Sequence, residues 1–470
     1  MSEKNKLAEK LLYAPKNGYD RLSAEDEKAM EAYCEDYKKF LNNGKTERLC
    51  VEYCIELAEK KGFKSYEAGM KLSVGDKVYF NNRGKGIMLA VIGSEDLSHG
   101  ANIGAAHTDS PRLDLKPRPL YEEAEMAYFK THHYGGIRKY QWVTIPLELH
   151  GVVVLHDGSK VDVHIGGKED DPQFIINDLL PHLGREQGKK PLNEAIPSES
   201  LNVLLGGKPF EDKDCSDRFK LGVLQYLNAQ YGITEEDFIS AELEVVPAGK
   251  ARDIGFDRSF IASYGHDDRV CAYAELAGIF DAVSPKKTAV CIFADKEEIG
   301  SEGVSGMLSQ AFDKFMADLC EAQGVALRDC LANSFCLSAD VTAAYDFTLR
   351  QAGYYTAAAR FLGLIRKDGA FFRLTDEGRR VLSLSYRKRQ AALTSRMARS
   401  RVFRALLNLG AHKPSPVTVE EARELLRTER PPDVWSEKTL SRRASTAVSW
   451  VTWLLRPQGE EEQQLSFFPG

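Results

Sequence analysis

Apolar segments that predict strands alternate with amphipathic segments that predict helices in the middle of this chain. Strands are predicted at Ser259–Tyr264, Thr288–Ala294 and Ser334–Ala339, with helices at Arg269–Val283 and Ser305–Gln323 between them. Strands separated by helices of this length form βαβ units, and such units build a largely parallel sheet. The sequence therefore predicts an α/β fold.

The N-terminal region adds two helices and three strands. A capping-box sequence at Ser23 begins a helix that extends to Gly44, and Thr46 begins a second helix that Gly62 ends. Strand patterns then cover Lys77–Asn82, Ile87–Ile92 and Ile103–Ala106.

Between residues 113 and 246 the apolar period changes to the alternation typical of strands with one buried face. The clearest strand segments are Trp142–Leu149, Gly151–Leu155 and Lys160–Ile165, and Phe219–Tyr231 predicts a helix. Pro146 favours an edge or a bulge for its strand. We therefore predict a β-rich insertion at 113–246 within an α/β domain formed by residues 1–112 and 247–346.

Composition indicates a soluble globular protein, with 43% hydrophobic and 28% charged residues. No apolar run reaches the roughly 18 residues of a membrane span, and Met1–Lys6 lacks the apolar region of a signal peptide. Nine cysteines, an odd number without CxxC pairs, favour a reducing compartment over a disulfide framework. We expect a cytoplasmic protein with no membrane contact.

The charge changes sign after residue 346. Residues 1–346 contain 41 Lys and Arg against 57 Asp and Glu, a net charge near −16, whereas residues 347–470 contain 22 against 12, a net charge near +10. All nine cysteines lie in the first part. Such a split suggests an attached basic module. It also fits two unrelated coding segments that were joined.

Acidic and imidazole side chains stand at or just past the carboxyl ends of four predicted strands. They are His107, the pair Asp267-Asp268, the pair Glu297-Glu298, and Asp340. In open α/β sheets ligands bind at this edge, so four such coincidences favour a common site.

Each of these groups alone has a simpler interpretation. His107 could be a core histidine, Asp267-Asp268 an acidic turn at the start of a helix, and Glu297-Glu298 a polar loop. Together they suit two Zn²⁺ or similar ions about 3.5–4 Å apart that share a carboxylate and a water. The reaction expected of such a site is amide hydrolysis.

Several motifs in residues 1–346 resemble one family of enzymes. The motifs are Ala105-Ala106-His107-Thr108-Asp109-Ser110-Pro111, Tyr134-Gly135-Gly136, Asn177-Asp178-Leu179-Leu180-Pro181-His182-Leu183, Gly265-His266-Asp267-Asp268-Arg269, Asp295-Lys296-Glu297-Glu298-Ile299-Gly300-Ser301 and Ser338-Ala339-Asp340. The region is similar to the aspartyl aminopeptidase and vacuolar aminopeptidase I family of co-catalytic zinc metallopeptidases. This resemblance covers nearly three quarters of the chain.

The resemblance implies two Zn²⁺ per site and a peptide substrate that loses its N-terminal residue. By resemblance, His107 and Asp340 are terminal ligands, Asp267 bridges the ions before a cis peptide bond to Asp268, and Glu298 is a further ligand. Glu297 is implied as the general base, and Asp109 as the residue that orients His107.

The resemblance also implies a homo-oligomer. Residues 113–246 are similar to the family's oligomerisation domain, and family members assemble into tetrahedral dodecamers. In them a histidine of this domain completes the site of a neighbouring subunit, and His182 is the candidate for that role here.

The chain departs from the family after Asp346. The family continues with more sheet, substrate-pocket residues and a segment that carries the last histidine ligand, and none of these is present. The one later histidine, His412, lacks the motif around it. We therefore predict weak or absent hydrolysis, and an unfinished sheet that exposes an edge and an apolar face.

Residues 347–458 resemble a mostly helical, winged-helix-type module, followed by a disordered tail at 459–470. The candidate contacts to DNA phosphates are Arg399, Arg401, Arg442 and Arg443. The other interpretation of these arginines is a solvated basic helix face. The alternative function for the whole chain is therefore a DNA-binding or regulatory fusion protein with an inactive peptidase-like head.

Overall fold

The computed structural model describes residues 17–342, 364–368, 371–382, 392–393, 395–397, 399–411, 417–429, 444, 447–448 and 451. The chain divides into two compact units, Met1–Val341 and Thr342–Gly470. Within the described ranges, no helix combines the length and the apolar character that crossing a membrane requires.

The first unit contains fourteen strands and seven α-helices among its described residues. In chain order the strands are β1 (Lys64–Ser65), β2 (Lys77–Asn82), β3 (Gly86–Val91), β4 (Asn102–His107), β5 (Arg112–Glu123), β6 (Met126–Tyr134), β7 (Leu147–Val154), β8 (Lys160–Ile165), β9 (Val203–Gly206), β10 (Glu242–Pro247), β11 (Arg252–Ile254), β12 (Phe260–Ala262), β13 (Ala289–Ala294) and β14 (Phe335–Ser338). The helices are α1 (Ala24–Asn43), α2 (Glu47–Lys60), α3 (Leu192–Ala195), α4 (Arg218–Tyr231), α5 (His266–Phe280), α6 (Ala311–Glu321) and α7 (Leu327–Asn333).

The two N-terminal helices begin where the sequence predicts. The Ser23 hydroxyl accepts a hydrogen bond from the Asp26 N–H at 3.1 Å, and the Asp26 carboxylate accepts one from the Ser23 N–H at 3.1 Å. This reciprocal capping box satisfies two donors that the start of a helix leaves free. The Thr46 hydroxyl caps α2 in the same way by accepting from the Leu49 N–H. Both predicted helix starts are confirmed.

The first sheet has the order β1-β2-β3-β13-β4-β14. β4 runs parallel to both β13 and β14, but β3 runs antiparallel to both of its neighbours. The prediction of a largely parallel sheet is therefore wrong for this half, because the short turn from Arg83 to Lys85 joins β2 to β3 and such a turn can join only antiparallel strands.

Helices cover both faces of the first sheet. On one face α2 and α5 pack against β3 and β13, with Cys54, Leu276 and Phe293 in the shared core. On the other face α6 supplies Phe315 and Leu319 to a second core. This layered burial makes β13 an apolar central strand.

β14 forms an edge of the first sheet, and all four of its residues are exposed. Phe335 retains 65% and Leu337 retains 58% of its surface in solvent. The exposed sheet edge that the sequence predicts is thus observed at β14.

The second sheet has the order β8-β7-β10-β5-β6-β9, and its pairings are antiparallel. It has its own core, which includes Leu113, Phe129, Leu149 and Leu243. These strands come from the segment predicted as a β-rich insertion, and α4 lies where its helix was predicted.

Two boundaries differ from prediction for local reasons. The strand expected from Trp142 begins only at Leu147, because Thr144 adopts a φ of 62° and Pro146 has no N–H to donate to a neighbouring strand. The helix expected from Ser305 begins only at Ala311, because Gly306 pairs with Asp295 in a parallel bridge instead.

The second unit contains β15 (Ile365–Asp368) and β16 (Phe371–Leu374), which pair antiparallel, and the helices α8 (Asp376–Leu382), α9 (Arg401–Ala411) and α10 (Val419–Glu429). Leu406 on α9 and Leu426 on α10 belong to one small core. β16 and α10 match a short strand and a helix that the patterns at Gly369–Thr375 and Val417–Leu426 predict. The pattern also predicts helices at Ala357–Leu364 and Ser445–Leu455, most of which lie outside the described residues, as does His412.

Candidate metal centre

Three neighbouring parallel strands bring the predicted residues to one edge of the first sheet. His107 ends β4, where it pairs in register with Ala294, the last residue of β13. Asp340 lies two residues past β14, the strand on the other side of β4. Because the carboxyl ends of parallel strands meet at the same edge, the strand order itself assembles the site.

The side chains converge at this edge. One ligand atom each from His107, Asp268 and Asp340 lies within 4.8 Å of the other two. The His107 Nε2 atom lies 3.3 Å from a carboxylate oxygen of Asp267 and 3.7 Å from one of Glu297.

Asp109 fixes the orientation of the His107 ring. The Nδ1–H of His107 donates to the backbone oxygen of Asp109 at 2.9 Å, and the Asp109 carboxylate lies 3.2 Å from the same nitrogen. Both neighbours are acceptors, so Nδ1 carries a proton and Nε2 is the ring nitrogen that faces the cluster. This is how proteins orient a histidine that ligates a metal.

The Asp109 carboxylate is fully buried and collects several donors. It accepts hydrogen bonds from the Tyr134 hydroxyl at 2.7 Å and from the N–H groups of Glu297 and Glu298 at 3.2 Å each. Burial opposes its charge, but His107 and these hydrogen bonds hold the pKa of Asp109 below its usual value. Asp109 therefore connects β4 to the loop that carries the two glutamates.

A cis peptide bond joins Asp267 to Asp268 at the start of α5, as the resemblance implies. The Ser110 hydroxyl donates to the Asp267 backbone oxygen at 2.6 Å. The buried Arg269 guanidinium donates to the backbone oxygens of Thr108 and Lys45, at 3.2 Å each. These contacts tie the aspartate pair to the end of β4.

The glutamate loop is built around left-handed backbone. Lys296 has a φ of 68° and Gly300 a φ of 96°, and between them lies a single 3₁₀ turn that carries Glu297 and Glu298. A Cβ added at Gly135 would lie 3.2 Å from the Cβ of Glu298, so the end of β6 packs directly against this turn.

Burial and crowding of negative charge shift the pKa values of these carboxyls upward. Burial raises the pKa of Asp268 to about 6. Burial, with the charge of Asp267 second, raises the pKa of Glu298 to about 7. For His107 burial acts in the opposite direction, but the carboxylates of Asp109 and Asp267 raise its pKa to about 11. The cluster therefore favours a positive charge at its centre.

The donor set fits a divalent cation. Both carboxylate oxygens of Asp268 are buried and have no hydrogen-bond partner among the described residues. The buried His107 Nε2 also makes no hydrogen bond there and faces only the carboxylates of Asp267 and Glu297. Unpaired buried polar atoms are rare because they lose water without replacement. A metal ion supplies the missing partner, and imidazole with carboxylates is a donor set that Zn²⁺ accepts.

Two residues have contacts or burial that the sequence alone does not predict, Asp268 and Tyr134. The motif predicts Asp268 only as the neighbour of Asp267, and the structure buries Asp268 fully. The apolar face of α5 behind it could have signalled that burial. Tyr134 was noticed only as part of the Tyr-Gly-Gly motif, and its contact with Asp109 depends on pairing between β5 and β6.

The remaining candidate residues are His182 and four arginines of the second unit. His182 is exposed, in a loop with exposed leucines. Arg399 is exposed, the backbone of Arg401 begins α9, and Arg442 and Arg443 lie outside the described residues.

Two families match parts of the chain. Peptidase M18, described as aminopeptidase I zinc metalloprotease, matches residues 40–350. A domain of unknown function, DUF7226, matches residues 325–458. The C-terminal segment is therefore a module different from the peptidase.

Relatives and solved structures agree with the first match. A probable M18 family aminopeptidase 1 from Clostridium acetobutylicum is 47% identical over 344 residues, which cover 72% of this chain and 74% of the relative. The crystal structure of an M18 aminopeptidase from Thermotoga maritima matches with a TM-score of 0.67 and 41% identity, covering 71% of this chain and 74% of that one. Aminopeptidase I from C. acetobutylicum matches with a TM-score of 0.67 and 44% identity, covering 72% and 75%.

Three observations lead to one conclusion. Strand ends bring candidate metal ligands together, a family model matches residues 40–350, and relatives share more than 40% identity. The chain belongs to the M18 family of zinc aminopeptidases.

Proposed function

We propose that this chain binds zinc at the ends of β4, β13 and β14 and hydrolyses N-terminal residues from peptides there. The observation that carries the proposal is the set of buried, unpaired ligand atoms on His107 and Asp268, next to the Asp340 carboxylate. Asp267 and Glu298 would be further ligands of the zinc at this site. Zinc, when bound at such a site, polarises the scissile carbonyl and acidifies water.

Glu297 is the general base in this proposal. Its carboxylate is half exposed and lies 3.7 Å from the His107 Nε2, so it faces both the cluster and the entering peptide. Burial raises its pKa above the usual value, which brings it closer to that of an efficient base at neutral pH. Glu297 takes the proton of the attacking water and returns it to the leaving amine.

The activity of this chain is expected to be impaired. By resemblance, a co-catalytic pair needs a fifth ligand, a histidine, besides His107, Asp267, Glu298 and Asp340. The only histidine in the sequence after Asp340 is His412. The family match ends at residue 350, and the aligned relatives continue for about a quarter of their length outside the match. We infer that one ion is held more weakly than the other.

Self-association through the second sheet is part of the same proposal. In it, residues 113–246 form the oligomerisation domain and His182 reaches the site of a neighbouring copy. Leu180 and Leu183 beside His182 retain 66% and 72% of their surfaces, which is unfavourable for an isolated chain in water.

The segment at 347–458 is proposed as a winged-helix-like module, supported by the β15–β16 hairpin that leads into α8. No contact among the described residues favours DNA as a partner. A DNA-binding fusion with an inactive head therefore stands only as the alternative outcome of the test below.

Zinc content after dialysis, measured by mass spectrometry together with peptide hydrolysis, tests the proposal. The wild-type chain should retain at least one zinc, and His107→Ala and Asp268→Asn should each remove it. Asp329→Asn is the matched control, because Asp329 is an exposed residue on α7 and should leave the zinc content unchanged. A wild-type chain without zinc would favour the inactive-head alternative.

A further inference from the structure

We infer that Tyr134 is a positioning residue of the metal centre, and that it acts through Asp109 on His107. Tyr134 is the last residue of β6, a strand of the second sheet, and not of the sheet that carries the ligands. The inserted strands are therefore part of the metal site's support, whatever their role in self-association.

The first contact is between Tyr134 and Asp109. The tyrosine is 6% exposed, and its hydroxyl donates to the Asp109 carboxylate at 2.7 Å. The other oxygen of this carboxylate faces the His107 Nδ1 at 3.2 Å. The Tyr134 hydroxyl is the only side-chain donor to this carboxylate besides His107 among the described residues, and it joins the N–H groups of Glu297 and Glu298 in holding both oxygens. By limiting rotation of the carboxylate, it fixes the direction in which His107 points its Nε2.

The second contact holds Tyr134 itself. The Arg112 guanidinium lies over the Tyr134 ring, 3.9 Å from its centroid, within the range of a cation–π interaction. The two residues are also cross-strand partners at the start of β5 and the end of β6. Arg112 is 5% exposed, so this interaction is little weakened by solvent.

Arg112 is fixed in turn by acidic side chains from separate elements. Its guanidinium lies 3.3 Å from Glu47 at the first turn of α2, 3.1 Å from Glu244 on β10, and donates to Asp114 at 2.8 Å. Glu47 is fully buried, and the opposite charges of Arg112 and Lys85 hold its pKa at about 2 against the effect of burial. The network thus joins the peptidase helices to the second sheet at the base of Tyr134.

The Tyr-Gly-Gly motif follows from this arrangement. Gly135 has a φ of 71°, and a Cβ there would lie 3.3 Å from a carboxylate oxygen of Glu298 and 3.4 Å from Pro111. A side chain at position 135 would therefore move β6 away from the glutamate turn. Glycine allows the Tyr134 hydroxyl to approach Asp109 from that side.

The test compares zinc affinity in Tyr134→Phe and in a matched control, Tyr79→Phe, by competition with a chromophoric chelator. Tyr79 is also 6% exposed and its hydroxyl also donates to a glutamate at 2.7 Å, but that glutamate is Glu59, outside the cluster. We expect Tyr134→Phe to weaken zinc binding about tenfold or more, as loss of such supporting hydrogen bonds does. Tyr79→Phe should leave the affinity unchanged.

A double-mutant cycle shows whether the effect passes through Asp109. In an Asp109→Ala background, Tyr134→Phe should weaken zinc binding no further, because the side chain that accepts the hydrogen bond from the hydroxyl is already absent. The visible spectrum of the Co²⁺-substituted protein should change in Tyr134→Phe and not in Tyr79→Phe, which reports on the ligands independently of any loss of stability.

The inference rests on the proposed metal site, and the two fail differently. If the wild-type chain binds zinc and His107→Ala does not weaken that binding, the proposed metal site is wrong. His107→Ala could abolish zinc binding while Tyr134→Phe keeps the wild-type affinity and the wild-type Co²⁺ spectrum. That result would overturn only the role of Tyr134. If Tyr134→Phe weakened zinc binding equally in the Asp109→Ala background, that result would also overturn the role of Tyr134.

Discussion

At the scale of single residues, the site depends on groups that are placed without partners. Asp268 buries carboxylate oxygens that make no hydrogen bond and the His107 Nε2 faces only carboxylates, whereas Asp109 is surrounded by donors. In the proposed site His107 and Asp268 bind the metal and Asp109 supports them, and this difference follows from their hydrogen bonds and not from residue type. Predictions for individual side chains follow from it.

Glu297→Gln should leave zinc bound and abolish turnover. The amide keeps the size of the side chain but cannot accept a proton, so any measurable kcat should fall by about 10²–10⁴-fold. Glu302→Gln, a change at a nearby exposed glutamate, should leave both unchanged. Zinc content and peptide hydrolysis measured on the same preparations test this, and retained turnover in Glu297→Gln would refute the assignment of the base.

The metal-free protein should lose stability as pH rises from 5 to 7.5. The pKa of Asp268 is raised from 3.8 to about 6 in the fold, so the folded state binds the extra proton. Its stabilising effect is complete below the ordinary pKa and is lost as pH passes through about 6. Glu298, with a pKa raised to about 7, extends this loss of stability to higher pH.

Thermal unfolding of chelator-treated and zinc-loaded protein at several pH values measures this effect. Zinc should reduce the fall in Tm, because the cation replaces the protons as the positive partner. Asp268→Asn should also reduce the fall in Tm of the metal-free protein, because the group that titrates is absent. A metal-free Tm that rises over this range, or an unchanged slope in Asp268→Asn, would contradict the explanation.

At the scale of elements, the sequence predicts the strands that carry the site better than it predicts their pairing. β4, β13 and β14 all lie within a residue or two of their predicted bounds, because each is a short apolar run with a polar end. The direction of β3 depends on the short turn that joins it to β2, and the edge position of β14 depends on neighbours distant in sequence, so the apolar period alone determines neither. The Tyr134–Asp109 contact was missed for the same reason.

Central and edge strands should respond differently to truncation. Ile292→Ala on β13 removes a side chain that is 2% exposed and should cost about 2–5 kcal/mol of the free energy of unfolding. Leu337→Ala on β14, at 58% exposure, should change it by less than about 0.5 kcal/mol. Urea unfolding midpoints compare the two. Equal losses would mean that β14 is covered in solution.

At the scale of the whole molecule, the chain joins a peptidase region to a module of another family. Residues 40–350 match the M18 family and residues 325–458 match DUF7226, so the two matches share residues 325–350. That shared segment contains β14 and Asp340, where the first sheet ends. The composition change after residue 346 predicted such a junction, but the identity of the second module could not be read from charge alone.

Self-association, if it uses the second sheet, should depend on the exposed leucines near His182. Leu180→Asp combined with Leu183→Asp should lower the solution mass toward that of a monomer, because charge at an apolar contact is costly. Val283→Asp is the control, since Val283 is 79% exposed and lies after α5 on the peptidase region. Light scattering after gel filtration measures the mass, and an unchanged mass in the double variant would remove this surface from the proposal.

Anomalous X-ray scattering from zinc-loaded crystals, recorded at the zinc absorption edge, tests the metal centre most directly. The strand-end arrangement predicts a peak within bonding distance of the His107 Nε2 and of the Asp268 and Asp340 carboxylates, with any second peak near Glu298 weaker. Zinc found only at other residues, or no peak between these three side chains at saturating zinc, would contradict the account.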